Sequence, residues 1–245
     1  MKFKTSLSIL FFVCFGFVQC SSRSLRIAAS NGEIKTVKQY IDEKTPTENA
    51  NFSGETALIL AAKFGYSDIV KQLLAANAEI EKKDDQGYTA LAWAVKNRYL
   101  EVARILLDSN ANVNTKSKTN GSPLLSASFN GNLAMVNLLI KYKPDPNITN
   151  NFGITPLMWS SQKGYKEITK QLLSLEPDTN KQDVNGKTAL MYASIFGRYE
   201  IFKLLLEKNS NVYLKDKQGQ TAEDYATEYG QSEVKILLLQ YGEGK

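Results

Sequence analysis

The stretch GKTALMYASIFGRYEIFKLLL, residues 186–206, decides the fold because its pattern of residue types returns along the chain at a fixed interval. The same pattern appears in GETALILAAKFGYSDIVKQLL at residues 54–74 and in GITPLMWSSQKGYKEITKQLL at residues 153–173. Steps of 33 residues from Thr56 reach a Ser or Thr every time, at residues 89, 122, 155, 188 and 221. A fixed period of this length is the sequence signature of a repeat protein.

Each recurring residue type fits one place in a pair of helices. The Ser or Thr can cap the first helix, and Pro123 and Pro156 follow it at the first helical position, where proline loses no hydrogen bond. A glycine then ends this helix in the left-handed conformation, with Arg98 at that place in one unit. The second helix carries paired leucine or isoleucine residues that we expect to be buried, at 73–74, 106–107, 139–140, 172–173, 205–206 and 238–239. Asp, Asn and Gly residues between the helix pairs predict tight turns.

A turn and two helices in every 33 residues resemble the ankyrin repeat. The resemblance covers residues 25–245 and implies an all-α repeat solenoid with short β-hairpin fingers, in about seven units of which the first is incomplete. The histidine that usually follows the family's Thr-Pro-Leu is absent, so we expect less rigid fingers. Asn120-Gly121 places a glycine one residue late, which predicts a different bend in that finger. In the last unit Glu223 replaces the recurring leucine, as expected of a repeat that caps an array.

The composition excludes several kinds of catalytic and metal site. The 245-residue chain has no histidine, which excludes Ser-His-Asp and Cys-His nucleophile systems and zinc sites that need imidazole. Both of its two cysteines lie within the first 20 residues, which leaves no thiolate metal site in the rest of the chain. The acidic pairs Asp84-Asp85 and Glu223-Asp224 fall in a turn and in the last unit, so we expect no catalytic residue, metal, cofactor or small-molecule substrate. A net charge of +5 is too small to indicate nucleic-acid binding.

Residues 1–19 are predicted to be a signal peptide. Two lysines precede an apolar run at residues 7–18, which is shorter than the roughly 20 apolar residues of a membrane-spanning helix. The segment Phe17-Val18-Gln19-Cys20 resembles a bacterial lipobox, although that motif usually has Leu where Phe17 stands and a small residue where Gln19 stands. The resemblance implies lipidation of Cys20, a short tether at residues 20–24, and a lipid-anchored place in a bacterial cell envelope, on the periplasmic face or the outer surface. The alternative is cleavage nearby with Cys20 unmodified, which gives a soluble periplasmic protein.

Ankyrin arrays usually bind ligands at the finger tips and the exposed end of the first helix, on the concave side, and this implies a candidate protein-binding face. The corresponding positions hold most of the phenylalanines that follow the leader, and nine lysines against three acidic residues. Exposed aromatic residues beside charge of one sign are typical of a recognition surface. The alternative is that the lysines are only solvated and the phenylalanines are partly covered by neighbouring repeats. The candidate protein-binding residues are Phe52, Lys63, Phe64, Tyr88, Lys96, Lys118, Phe129, Phe152, Lys163, Lys187, Phe196 and Tyr229.

Together these features predict a non-catalytic, monomeric protein–protein interaction scaffold, tethered to a bacterial envelope membrane, that binds an acidic protein. An envelope stress enzyme is one candidate partner. One alternative is a secreted or surface-exposed protein that acts on host proteins. A second alternative is a hydrolase built on the repeats, which would require a clustered pair of acids in a pocket.

Overall fold

The structure is a computed structural model that describes residues 24–243, with side chains up to residue 241. The predicted signal peptide, Cys20 and most of the predicted tether lie outside the described residues. Residues 24–243 form fourteen α-helices and no β-strand. In chain order the helices are α1 (24–31), α2 (Ile34–Asp42), α3 (Ala57–Phe64), α4 (Ser67–Ala75), α5 (Ala90–Lys96), α6 (Leu100–Asp108), α7 (Pro123–Phe129), α8 (Leu133–Ile140), α9 (Pro156–Lys163), α10 (Lys166–Leu173), α11 (Ala189–Ile195), α12 (Tyr199–Glu207), α13 (Ala222–Glu228) and α14 (Ser232–Glu243).

The described chain divides into two compact units, residues 24–115 with α1 to α6 and residues 116–243 with α7 to α14. In the first unit, α3 packs on α5, and α4 packs on both α2 and α6. In the second unit, α7, α9, α11 and α13 pack in one row, and α8, α10, α12 and α14 pack in another. From α3 onward each odd-numbered helix also packs on the helix that follows it. This is the stacking of helix pairs that defines an all-α repeat solenoid, so the predicted fold class is confirmed.

The odd-numbered helices from α3 onward begin as the sequence predicts. The Thr155 hydroxyl accepts a hydrogen bond from the Met158 backbone N–H at 3.1 Å. Equivalent caps are formed by residues 56, 89, 122, 188 and 221. Such a cap satisfies one of the N–H groups that the first helical turn leaves without a partner, and it stabilises a helix by about 1 kcal/mol.

Residues with a positive φ follow the helices of each pair. Gly65 and Gly164 end α3 and α9 with φ of 83° and 80°. Arg98 takes the same conformation after α5, with φ of 66°, as its place in the repeat predicts. After the second helices the positive-φ residues are not glycines but Lys44, Asn77, Asn110, Lys143, Glu176 and Asn209.

The core of each unit lies between its two rows of helices. The small residues at one position of the first helix are fully buried, at 61, 94, 127, 160, 193 and 226, and their size allows the helices to approach closely. The first leucine of each pair in the second helices is also fully buried, at 73, 106, 139, 172 and 205. The expectation of a buried pair is wrong at Leu74 and Ile140, which are half-buried, and in α14, where Leu238 is half-buried and Leu239 is 62% exposed. Helix α14 packs on α12 and α13, and no described helix follows it in the row.

Six fingers precede the odd-numbered helices, at residues 51–55, 84–88, 117–121, 150–154, 183–187 and 216–220, and each is a tight turn closed by two backbone hydrogen bonds. In one of them Asp84 N–H donates to the Tyr88 carbonyl at 3.0 Å, and Gly87 N–H donates to the Asp84 carbonyl at 2.9 Å. The finger at residues 117–121 has the same two bonds. Asn120 there takes φ of 54°, at the position where the other fingers have glycine. The predicted different bend is therefore wrong, because asparagine adopts the left-handed conformation at small cost.

Candidate functional site

A buried aspartate and a tryptophan hold the finger at residues 84–88. Asp84 is 7% exposed, and one of its carboxylate oxygens accepts hydrogen bonds from the backbone N–H groups of Gln86 and Tyr88 at 2.9 and 2.8 Å. The other carboxylate oxygen accepts a hydrogen bond from Trp93 Nε1 at 2.8 Å. The indole is therefore fixed against the finger, and its ring faces the neighbouring side chains in a defined orientation.

The same brace recurs in the second unit with tyrosine as the donor. The Tyr192 hydroxyl donates to Asp183 at 2.7 Å, and the Tyr225 hydroxyl donates to Asp216. Burial, together with the hydrogen bond to Asp183, raises the pKa of Tyr192, so this hydroxyl keeps its proton at neutral pH. These fingers are thus braced from the first helix although the histidine usual in ankyrin repeats is absent.

Two lysines lie against the Trp93 ring in the first unit. Lys63 Nζ is 4.4 Å from the Trp93 ring centroid, and Lys96 Nζ is 4.6 Å from that centroid and 4.7 Å from the Tyr88 ring centroid. The Tyr88 and Trp93 centroids are 5.1 Å apart. An ammonium over an aromatic face is attracted to it by roughly 0.5–2 kcal/mol, more when it is desolvated. We call these two rings the Trp93 platform.

The two lysines on the Trp93 platform differ in their acidic partners. Lys63 forms an ion pair of 2.7 Å with Glu55, which also accepts a hydrogen bond from Asn51 Nδ2 at 2.8 Å. Burial raises the pKa of Glu55, but the hydrogen bonds from Lys63 and Asn51 outweigh it, and the net pKa is lowered. Lys96 is exposed and forms no ion pair with any residue that the structure describes. Glu55 thus neutralises Lys63, whereas Lys96 stays available to a carboxylate from outside.

The second unit has a comparable group, the Phe129 platform, formed by Phe129 and Trp159. Their ring centroids are 4.7 Å apart in an edge-to-face arrangement, and Phe129 is still 44% exposed. Lys163 Nζ lies 5.2 Å from the Phe129 ring centroid. Like Lys96, Lys163 is exposed and forms no ion pair within the described part of the chain.

Unlike Lys96 and Lys163, Lys187 contacts an acidic and an aromatic side chain of its own chain. Its Nζ lies 3.0 Å from Asp216 Oδ2 and 4.7 Å from the Tyr225 ring centroid, and it donates to the Tyr225 hydroxyl. Burial raises the pKa of Asp216, but hydrogen bonds from Tyr225, Lys187 and the Gln220 and Gln218 backbone N–H groups lower it to about 2. Burial lowers the pKa of Lys187, but the hydrogen bonds with Tyr225 and Asp216 give a net increase. Lys187 therefore forms a structural ion pair between two successive fingers.

Most of the predicted aromatic residues lie at the surface. Their exposed fractions are 107% for Phe52, 67% for Phe152, 51% for Tyr229, 45% for Phe64, 44% for Phe129 and 42% for Phe196. Tyr88 is half-buried, and among the lysines Lys96, Lys118 and Lys163 are exposed. Lys63 and Lys187 are half-buried in ion pairs, so these two predicted residues are committed to contacts within the chain.

Sequence reasoning missed the two tryptophans. Trp93 and Trp159 are not among the candidate residues drawn from the sequence, yet both are half-buried and contribute rings to the two platforms. The available signal was the repeat position that they share with Tyr192 and Tyr225, where a ring with an N–H or O–H recurs. Glu55, which forms the ion pair with Lys63, is likewise not among the candidate residues drawn from the sequence.

Neither a metal centre nor a membrane-spanning helix is found in the part of the chain that the structure describes. Within residues 24–243 no group of three or more His, Cys, Asp or Glu residues could hold a metal ion. No helix in the same range is long and apolar enough to cross a membrane.

Comparison with known proteins identifies the repeat directly. A family model for ankyrin repeats (3 copies) matches residues 25–117 and again residues 124–216. A comparison with curated proteins gives no significant match. Since the two matches cover most of the chain and agree with the stacked helix pairs, the chain belongs to the ankyrin repeat family.

Proposed function

We propose that the protein is a non-catalytic scaffold that binds another protein through the finger face of each unit. We define the finger face as the finger tips and the exposed C-terminal ends of the first helices. Ankyrin repeats are generally protein–protein interaction modules and are typically non-catalytic. The observation that carries the proposal is that six predicted aromatic residues of this face are 42% to 107% exposed, and that Lys163 lies against one of them, Phe129. Exposed aromatics with charge of one sign can supply both anchors and orientation in a protein interface.

The proposed partner is acidic. Lys96, Lys118 and Lys163 are exposed on the finger face, and they would attract carboxylates of a partner and increase its association rate at low salt. The aromatic residues would contribute most of the affinity, since a few buried aromatic anchors usually dominate an interface. Raising the ionic strength should therefore slow association more than it increases dissociation.

The binding test uses the double variant Phe64→Ala/Phe129→Ala, one residue from each unit. Cross-linking in intact envelopes, followed by capture of the tagged chain, should recover the partner with wild type and much less with the variant. Circular dichroism should show the variant to be folded. The matched control is Tyr213→Ala/Ile236→Ala, which removes side chains that are 80% and 56% exposed outside the finger face. If only this control abolishes capture, the finger face is the wrong surface.

We further propose that the monomeric scaffold is held at a bacterial envelope membrane by acylation of Cys20. Acyl chains contribute about 0.8 kcal/mol per buried CH₂ group, so two or more chains anchor a protein stably. Labelled fatty acid should enter the wild-type chain but not Cys20→Ser, and only the wild type should partition into detergent. A mature N-terminus mapped elsewhere, on a chain found in the soluble fraction, would contradict the anchor.

A further inference from the structure

We propose that Lys96 on the Trp93 platform and Lys163 on the Phe129 platform are the carboxylate contacts of the partner, and that Glu55 occupies Lys63 as an internal ligand. This inference rests on the proposed function and deepens it. The lysines of the finger face then fall into two classes, one that binds the partner and one that is already occupied. The partner would present an acidic side chain next to an aromatic or aliphatic one.

The position of Lys96 supports its role. Its ammonium lies 4.6 Å from the Trp93 centroid and 4.7 Å from the Tyr88 centroid, so the rings hold the end of an otherwise flexible side chain. Trp93 is itself fixed by its hydrogen bond to Asp84 at 2.8 Å. A charge that is oriented before binding loses less conformational freedom when a partner arrives.

Glu55 shows that a carboxylate can bind a lysine that lies on the Trp93 platform. Lys63 and Lys96 lie 4.4 and 4.6 Å from the same ring centroid, and two like charges held against one ring repel each other. The Glu55 carboxylate, 2.7 Å from Lys63 Nζ, neutralises one of them. Lys96 has no ion-pair partner among the described residues, so a carboxylate from a binding partner would pair with it as Glu55 pairs with Lys63.

The surroundings select a peptide segment rather than a simple anion. Phe64, the residue that follows Lys63, is 45% exposed. Phe129, whose ring is in contact with Lys163, is 44% exposed. Inorganic phosphate or a bare carboxylate would satisfy the lysines but would leave these rings in water. An acidic residue with an aromatic or aliphatic neighbour covers both, and burial of the apolar surface adds to the affinity.

The experiment measures binding of a short labelled peptide of alternating Glu and Phe to the full chain by fluorescence anisotropy. The matched probe has Gln in place of every Glu. Wild type should bind the Glu peptide more tightly than the Gln peptide, and added salt should reduce this preference. Lys96→Met, which keeps an apolar chain over the rings, should weaken binding of the Glu peptide about threefold to tenfold. Lys71→Met, on α4 and paired with Asp68, should leave binding unchanged.

Glu55→Gln provides a gain-of-function test, because it releases Lys63 from its internal ligand. The variant should bind the Glu peptide several-fold more tightly than wild type, with no change for the Gln peptide. Glu207→Gln removes the same charge in the second unit, at the exposed end of α12 and outside the finger face, and serves as the control for net charge. The inference is overturned if Lys96→Met has no effect, if Glu55→Gln does not strengthen binding, or if wild type does not distinguish the two peptides. Loss of partner capture in Phe64→Ala/Phe129→Ala is measured separately, so the proposed function can stand when this assignment fails.

Discussion

Two adjacent serines in α9 are equally buried but differ in what their hydroxyls bind. Ser160 and Ser161 are both 0% exposed. The Ser160 hydroxyl donates to the Leu157 carbonyl at 3.0 Å and accepts from the Thr169 hydroxyl at 3.0 Å. The Ser161 hydroxyl has no hydrogen-bond partner among the described residues, and the same holds at the repeat-equivalent residues 128 and 194. A buried polar group without a partner costs about 1–3 kcal/mol.

Replacement of each serine by alanine should therefore have opposite effects on stability. Ser161→Ala removes an unsatisfied hydroxyl without leaving a large cavity, and it should raise the free energy of unfolding by about 1 kcal/mol. Ser160→Ala should lower it by a similar amount, because the hydrogen bonds that join the Ser160 hydroxyl to the Leu157 carbonyl and to the Thr169 hydroxyl are lost, although Thr169 can still donate to the Tyr165 carbonyl. Urea denaturation of both variants measures the difference. A decrease in both would mean that the Ser161 hydroxyl is satisfied in solution.

A second pair of substitutions tests the helix ends. Arg98→Gly should be neutral or stabilising by about 1–2 kcal/mol, because arginine at φ of 66° carries a Cβ that disfavours the left-handed conformation. Gly65→Ala at the equivalent place should destabilise, since its Cβ would lie 2.5 Å from Tyr99 Cε1. Thermal unfolding of the two variants compares them directly. A melting temperature that falls by several degrees in Arg98→Gly would contradict the role of residue 98 as a left-handed terminator.

Among the elements, the fingers that begin at residues 84, 183 and 216 are each held by a buried carboxylate. Asp183 and Asp216 each begin a finger, are 7% exposed and accept a hydrogen bond from a tyrosine of the following helix. Backbone hydrogen bonds also join successive fingers within a unit, as from Val184 N–H to the Phe152 carbonyl at 3.0 Å. Since the Asp216 carboxylate accepts hydrogen bonds from Tyr225 and from two backbone N–H groups of its own finger, that finger should respond to acid.

Stability should therefore decrease in acid in the range where Asp216 becomes protonated. Its pKa is about 2 in the folded chain against an ordinary 3.8, so its contribution is complete above about pH 4 and is lost as pH falls through 2. The side chain is fully buried, and the shift corresponds to about 2 kcal/mol. Urea unfolding at successive pH values should show this loss. Asp216→Asn should be less stable at neutral pH but should change less between pH 4 and pH 2, and an unchanged slope in this variant would contradict the assignment.

At the scale of the whole molecule, stability comes from contacts between neighbouring helix pairs. In the second unit α10 packs on α8, α9 and α12. Leu172 of α10 is fully buried, whereas Leu239 of α14 is 62% exposed. In repeat proteins each unit is stabilised mainly by its neighbours, so a core defect should weaken the nearest helices first.

Leu172→Ala should cost about 2–5 kcal/mol as a core truncation, and Leu239→Ala should cost much less because its side chain is largely in water. Amide hydrogen exchange should show the largest loss of protection for Leu172→Ala in α8, α9, α10 and α12, with a smaller loss in α14. Equal loss of protection in all helices of the second unit would show that the unit unfolds as one cooperative body and would contradict propagation through neighbours.

The repeat period, the helix caps and the buried positions were determined by the sequence alone. A Ser or Thr cap, a left-handed terminator and a fully buried alanine act within one helix pair, and the 33-residue step brings each back in the same surroundings. Their roles could therefore be predicted without coordinates, down to Arg98. The exceptions were Leu74, Ile140, Leu238 and Leu239, because burial at these positions depends on how neighbouring helices pack and not on the residue itself.

Only the tertiary structure decided which lysines form ion pairs within the chain and which stay available to a partner. Lys63, Lys96, Lys163 and Lys187 look alike in the sequence, as basic residues near aromatic ones. Their different roles depend on side chains brought from elsewhere, since Glu55 lies 8 residues from Lys63 and Asp216 lies 29 residues from Lys187. A lysine is neutralised only where folding brings a carboxylate within a few ångströms of it, and that distance is set by the packing of helices and fingers rather than by the local sequence.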